Sequence, residues 1–255
     1  QSIFLKQNSS RMHSLANKRI LVTGASSAIG AQIARDIIDQ GGKVLGTYRT
    51  TPARQLEQFS TEDSFESVCW DALNAPDFLE LSSPFDGWVH CVGTIHPQPI
   101  KYLNEIGNER LFQVNYFSAT HMATALVSKN LLKLGASVVF ISSVSSHYPY
   151  RGGATYAASK AALETFAKAL ALELSAKKIR VNTLVCGLVN TPIYQASVAA
   201  HSPAEVQRME EKYPLGIGEP TAVSMPCIFL LCYNSRWMTG SQLPLDGGLM
   251  LNASF

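Results

Sequence analysis

The stretch that most constrains the fold is the short apolar run Arg19-Ile-Leu-Val-Thr23, which passes directly into Gly24-Ala-Ser-Ser-Ala-Ile-Gly30 and then into a helical pattern ending at Gly41-Gly42. Five apolar-rich residues before a glycine turn suit a buried strand, and the period that follows suits a helix. Such a junction leaves unpaired N–H groups at the helix start and lets the backbone approach an anion closely, which suits a pyrophosphate. A degenerate glycine turn is equally an ordinary loop, so the surrounding pattern has to decide. Further apolar runs at Lys43 to Tyr48, Phe65 to Trp70, Gly87 to Gly93, Ser137 to Ile141, Arg180 to Val185 and Gly240 to Gly248 alternate with helical or polar segments. That alternation predicts an α/β fold: a doubly wound parallel sheet of about seven strands with helices on both faces. A chain of 255 residues with no break in composition predicts one domain over residues 15–255.

Composition narrows the partners. The chain has 21 basic and 19 acidic residues, a formal charge of +2, and its basic residues are scattered. Neither nucleic acid nor a membrane surface is implied, and a small soluble substrate fits better. The longest apolar runs, such as Met225 to Tyr233, fall well short of the roughly twenty residues a membrane helix needs. Cys69, Cys91, Cys186, Cys227 and Cys232 lie mostly in apolar runs without a CxxC spacing, which predicts buried thiols in a reducing compartment, no disulfide framework and no metal site. Residues 1–14 lack the apolar core and cleavage site of a secretory signal. They are expected to be a disordered leader outside the fold, with Met12 near the natural start or the leader an expression artefact.

The chemistry concentrates between Ser143 and Lys160, in SVSSHYPYRGGATYAASK. Tyr156 and Lys160 are four residues apart at a predicted helix start, so they share one helix face. A phenol with a reference pKa of about 10 is almost wholly protonated at neutral pH, and a nearby ammonium is expected to lower that pKa. Tyrosine and lysine at this spacing are also commonplace on solvated faces. Here, however, Ser143 lies thirteen residues upstream of Tyr156, and Asn115 twenty-eight before that. Together with Tyr156-Ala-Ala-Ser-Lys160 this resembles the short-chain dehydrogenase/reductase family.

The resemblance implies a Rossmann-type domain and reversible hydride transfer between a nicotinamide and a carbonyl or secondary alcohol. By position, Tyr156 would be the general acid/base, Lys160 would bind the nicotinamide ribose and tune Tyr156, Ser143 would hold the substrate oxygen, and Asn115 would steady a relay water. For Asn115 the alternative is a polar residue satisfied inside a helix interface. The glycine turn Thr23 to Gly30 keeps the first and last glycines of the family's TGxxxGxG but has Ala28 for the middle one. Its methyl is tolerable at negative φ. Gly24, Ser26, Ser27, Ala28, Ile29 and Gly30 would then line the pyrophosphate.

Arg49 follows the second strand with no acid beside it, which suits a 2′-phosphate and predicts NADP(H) over NAD(H), with Thr47, Thr50 and Thr51 adding hydroxyls. A solvated surface arginine is the alternative. Asp71 and Ala72 match the family's adenine contact, or Asp71 simply caps a turn. Gly93 matches the glycine of the family's NNAG turn, where this chain reads HCVG; His90 and Cys91 read as packed strand residues and His121 as structural. Gly187, Val189 and Thr191 match the loop after the sixth strand, with Cys186 in place of proline.

Residues 190–216 are the expected substrate lid. The resemblance further implies a homotetramer, and the free-thiol reading of the cysteines a cytoplasmic protein. As substrate the resemblance favours a 3-oxoacyl thioester, whose apolar chain suits Ile193, Tyr194, Val198, Val206, Met209 and Tyr213 of the lid; an acyl carrier protein is one option, because Lys129, Lys133, Lys177 and Lys178 fall near the ends of the two long helices that flank the pocket entrance in family members acting on such carriers. Those lysines are otherwise solvated charges that complement helix dipoles. A sugar, polyol or small or steroidal ketone is the alternative, and a catalytically silent dinucleotide-binding sensor is the alternative from another class.

Overall fold

The computed structural model describes residues 15–51, 63–199 and 202–254. The expected leader lies outside them. Seven strands form one parallel sheet in the order β3-β2-β1-β4-β5-β6-β7. They are β1 (Arg19–Thr23), β2 (Lys43–Tyr48), β3 (Phe65–Cys69), β4 (Phe85–His90), β5 (Leu132–Ser143), β6 (Arg180–Cys186) and β7 (Gln242–Leu245). The helices are α1 (Ala28–Asp39), α2 (Glu105–Phe112), α3 (Ser118–Ser128), α4 (Ala154–Glu173), α5 (Pro192–Ala199), α6 (Pro203–Glu210) and α7 (Pro220–Leu231). The expected doubly wound sheet is therefore the observed one.

Successive strand residues feed opposite faces, as the period of two demands. Ile20 and Val22 join Ile33 and Ile37 of α1 and Val223 and Leu230 of α7. Leu21 between them joins Met122 and Leu126 of α3 and Leu163 and Leu170 of α4. Burial on both faces explains why the central strands read as continuous apolar runs. At about 25 cal/mol per Å² of apolar area, each of these fully buried aliphatic side chains stabilises the fold by roughly 1.5–3 kcal/mol before entropy is counted.

The sequence carries a long helical period from Asn108 to Leu134, but the structure does not form one helix there. The period is split by a π turn at Gln113–Phe117, and the second part stops at Ser128. Asn130 takes a left-handed φ of 53° and ends the helix, so Leu131 and Leu132 enter the core and Leu132 opens β5, pairing with Phe85. Their apolar spacing fits either structure, and tertiary pairing chose the strand. The expectation for the cysteines also needs one correction. Cys186, Cys227 and Cys232 are buried and Cys91 is half-buried, but Cys69 is exposed at the end of the edge-side strand β3, where its thiol donates to the Arg49 carbonyl at 3.3 Å.

Candidate active site

The strand order reverses between β1 and β4, so a crevice opens beyond their carboxyl ends, the place where open α/β sheets bind ligands. Gly24 turns the chain there with φ of 78°, and a side chain on it would meet the Cys91 backbone at 3.0 Å. Glycine is required on both counts. At Gly30 the demand is steric: a Cβ would lie 2.3 Å from the Gly24 carbonyl. Ser27 caps α1, accepting from Gly30 N at 3.1 Å and donating to Gly24 O at 2.8 Å. Ser26 is exposed, and Ile29 packs against the core. Ala28 is the first residue of α1 and is not among the described non-glycine residues with positive φ, so its methyl sits in an ordinary helical conformation.

Thr47 does not offer a free hydroxyl. It is buried, and its Oγ1 accepts from Gly24 N at 3.0 Å, bracing the glycine turn. Arg49 is exposed just past β2, with Thr50 and Thr51 also exposed. The Asp71 carboxylate accepts from Leu73 N at 3.1 Å, so it closes a turn, while Ala72 packs in the core beside Trp70 and Leu79. Gly93 stands over the catalytic-type residues: a Cβ there would lie 3.3 Å from Lys160 Nζ and 3.6 Å from Asn115 Oδ1.

Asn115 lies in the π turn and is fully buried. Its Oδ1 accepts from Thr94 N at 2.7 Å, and its Nδ2 donates to Thr94 O and Ser159 Oγ, both at 3.0 Å. Its side chain is thus the clamp between the loop after β4 and α4, the helix-interface role left open above. Single-turn π bulges inside helices recur at functional sites because they disturb the regular pairing of backbone carbonyls. Ser143 ends β5, its hydroxyl lies 3.0 Å from Ser145 Oγ, and its interaction with the Tyr156 side chain favours the ionised phenol. Lys160 Nζ lies 5.9 Å from the Tyr156 ring centroid and donates to Ile141 O at 3.0 Å. Asn115, Ser143, Tyr156 and Lys160 therefore converge from three separate elements.

The electrostatics overturn one expectation. Burial pushes the Tyr156 phenol up to about 12, against the smaller opposing pull of the Ser143 hydrogen bond. Lys160 does not lower it in this arrangement, because the ammonium is turned toward the Ile141 carbonyl and is itself pushed down to about 8 by burial. Desolvation wins over a cation that is not in contact.

His90 and Cys91, which replace the first two residues of the family's turn, are packing residues as expected. His90 is fully buried, edge-on to Trp88 with ring centroids 5.5 Å apart. Its Nδ1 lies 2.8 Å from Thr23 Oγ1 and its Nε2 lies 3.3 Å from Ser118 Oγ, so it ties β1 to the helix after the π turn. Burial, helped by the Lys160 charge, pushes its pKa down to about 3. Burial also raises the Cys91 thiol and pushes that of Cys186 up to about 12.

On the far side, a Cβ on Gly187 would meet Asp246 Cα at 2.9 Å, and Val189 is buried and bridges to Gly218. Thr191 Oγ1 accepts from Tyr194 N at 3.3 Å at the start of α5. The expected lid contains α5 and α6, joined by a hydrogen bond from the Tyr194 hydroxyl to the Glu210 carboxylate. Residues 200 and 201 lie outside the described residues. Sequence reasoning missed Ser159, Thr94, His147 and Glu164. The only available signal was an acid four residues after Lys160 on a helix face that otherwise reads as packing.

The comparisons with known proteins agree with this geometry. A family model described as enoyl-(acyl carrier protein) reductase matches residues 24–250. The chain is 31% identical over 248 residues to a D-erythrulose reductase of Gallus gallus, covering 94% of this chain and 98% of that protein. It is 32% identical over 246 residues to an L-xylulose reductase of Bos taurus, covering 92% and 98% respectively. A solved short chain dehydrogenase family protein from Francisella tularensis matches with a TM-score of 0.80 at 27% identity, covering 92% of this chain and all of that one. The chain belongs to the short-chain dehydrogenase/reductase family. It is an oxidoreductase of the kind that acts on CH–OH groups with a nicotinamide cofactor.

Proposed function

We propose that this protein reduces the keto group of a small sugar or polyol-derived ketone, with NADPH as the preferred cofactor. The observation that carries the substrate class is full-length similarity above 30% to two reductases named for small keto sugars, D-erythrulose and L-xylulose. The alternative noted from the sequence thus replaces the 3-oxoacyl thioester as the main reading. The lysines that motivated a carrier protein support this shift. Lys129 pairs with Glu80 at 3.7 Å, Lys133 with Asp86 at 2.7 Å, and Lys177 donates to Asn130 at 2.9 Å. These partners account locally for three of the four lysines; Lys178 is exposed in a turn with a left-handed φ of 55°.

The residues fit the cofactor. The glycine turn at 24–30, Gly93, Gly187, Val189 and Thr191 would hold the dinucleotide, with Asp71 and Ala72 at its adenine end and Arg49 beside a 2′-phosphate. When bound, the nicotinamide supplies the hydride. In this reading Tyr156 donates the proton to the nascent alkoxide, and burial keeps the phenol protonated until that moment. The Ser143 hydroxyl holds the carbonyl oxygen beside it. Lys160 binds the ribose and supplies positive charge, while Asn115 orders the loop and helix around a relay water. No protein-bound metal takes part in the scheme.

Two further parts of the reading rest on surface chemistry and composition. Met225 and Phe229, one turn apart on α7, are exposed, as are Tyr233 and, at 98%, Trp237. Such a surface supports a homo-oligomer, a tetramer by resemblance, which sedimentation would test. The protein is proposed to be cytoplasmic, in keeping with its free thiols; among the described residues no helix is long and apolar enough to cross a membrane. The decisive experiment measures kcat/KM with NADPH for D-erythrulose, L-xylulose and a 3-oxoacyl thioester. Higher values for the keto sugars support the proposal. A clear preference for the thioester would overturn it and restore the acyl reading, and no turnover of any carbonyl would favour a silent dinucleotide binder.

A further inference from the structure

Glu164 is a carboxylate with only 3% side-chain exposure on a helix otherwise lined by alanine and leucine. An isolated charge in such surroundings is costly unless it is hydrogen-bonded on every side. It is. Its Oε1 accepts from Ser142 Oγ at 2.5 Å and from Ser146 Oγ at 2.6 Å. Its Oε2 accepts from Gln242 Nε2 at 2.6 Å and lies 2.9 Å from His147 Nε2. The four partners come from the end of β5, the turn after it and the start of β7.

Two of those partners bracket Ser143. Ser142 precedes it, and Ser146 follows three residues later, its hydroxyl also lying 2.6 Å from the Ser143 carbonyl oxygen. Tyr156, Lys160 and Glu164 recur every four residues and therefore share one face of α4. The carboxylate thus fastens the serine-bearing turn to the same rigid helix that carries the phenol and the ammonium. Proton transfer and carbonyl binding need placement within about 0.5 Å, and a misplacement of about 1 Å can lower a rate about a hundredfold.

We propose that Glu164 is a positioning residue that holds the Ser143 hydroxyl at its working distance from Tyr156. The inference rests on the reading that Ser143 holds the substrate oxygen. It assigns Glu164 no contact with substrate or cofactor and no part in proton transfer.

The test is a double-mutant cycle with Ser143→Ala and Glu164→Gln, read by steady-state kinetics on D-erythrulose, cofactor titration and thermal melting. Glu164→Gln keeps the volume but presents an amide to donors that require an acceptor. It is expected to lower kcat about tenfold or more while cofactor affinity changes less than about twofold. In the Ser143→Ala background the same change should have almost no further effect on kcat, because the hydroxyl it positions is gone. Equal effects of Glu164→Gln in both backgrounds would show a purely structural role and overturn the proposal while leaving the assignment of Ser143 intact. Full activity of Ser143→Ala would remove that assignment and this inference with it. Should Glu164→Gln fail to fold, Ser146→Ala removes one link and leaves the carboxylate in place. It should lower kcat by a smaller factor, again only when Ser143 is present, and an unchanged kcat there would equally defeat the proposal.

Discussion

Between Gly24 and Gly30 the chain meets the crevice with its backbone, whereas between Ser142 and Glu164 it does so with side chains. The first region is defined by what is missing. Gly24 and Gly30 leave room that a Cβ would close, and the hydroxyls of Ser27 and Thr47 hold the turn itself. The second is defined by what is present: a serine turn, a phenol, an ammonium and a buried carboxylate fastened to one another across β5, α4 and β7. Backbone surfaces tolerate changes in side-chain identity as long as φ and volume are kept, so Ala28 can stand where relatives of the motif have glycine. A side-chain constellation has no such slack, and its members should be far more sensitive to conservative change.

The largest expected effect tests that contrast directly. Tyr156→Phe keeps the ring and removes only the proposed transferable proton, so kcat should fall by about 10²–10⁴ while cofactor affinity stays nearly intact. A Phe variant with near-normal kcat would show that the wrong proton donor has been named. Beside the glycine turn, at the end of β2, Arg49→Asp should weaken NADPH binding by about 2 kcal/mol and spare NADH, because a charged hydrogen bond is lost and a repulsion gained. Paired titrations in which the wild type already prefers NADH would sink the cofactor preference.

His90 ties Thr23, just before the glycine turn, to Ser118 after the π turn, and its burial makes that link sensitive to acid. Its folded pKa of about 3 lies below the reference 6.5, so as pH falls through 6.5 the unfolded chain takes up a proton before the folded one does. Stability from this residue is present in full above pH 6.5 and is lost progressively toward pH 3, at about 1.4 kcal/mol per pH unit, or about 2 kcal/mol by pH 5. Urea unfolding at pH 7 and 5 should show this loss in the wild type and a shallower one in His90→Asn, and equal slopes would refute it. The smallest effect is expected at Ala28→Gly. Restoring the family's glycine should cost at most about 1 kcal/mol of stability and change cofactor affinity less than about threefold. A tenfold gain in affinity would mean that the methyl does crowd the pyrophosphate and that the glycine turn does not tolerate it.

The strand–glycine–helix unit was legible because local rules govern it: apolar runs, glycines at tight turns and helical periodicity predicted β1, β2 and β6 almost residue for residue. The spacing of Ser143, Tyr156 and Lys160 was legible for the same reason, since one turn of helix carries the last two. What failed depended on distant partners. The residues from Lys129 to Leu134 fit a helix period, yet pairing with β4 drew Leu132 onward into a strand. The π turn at Asn115 has no local signature, and its side chain finds its partners, Thr94 and Ser159, twenty-one and forty-four residues away.

The sequence by itself therefore determined the alternation of elements, the doubly wound sheet and the residues that carry the candidate chemistry, because each depends on periodicity or spacing within a few turns of chain. Only the tertiary structure decided the electrostatics of the site. Burial, not the neighbouring ammonium, sets the Tyr156 phenol near 12, and Glu164 is held by donors from β5, the turn after it and β7. Desolvation and long-range hydrogen bonds depend on what surrounds a group in space, and spacing along the chain does not carry that information.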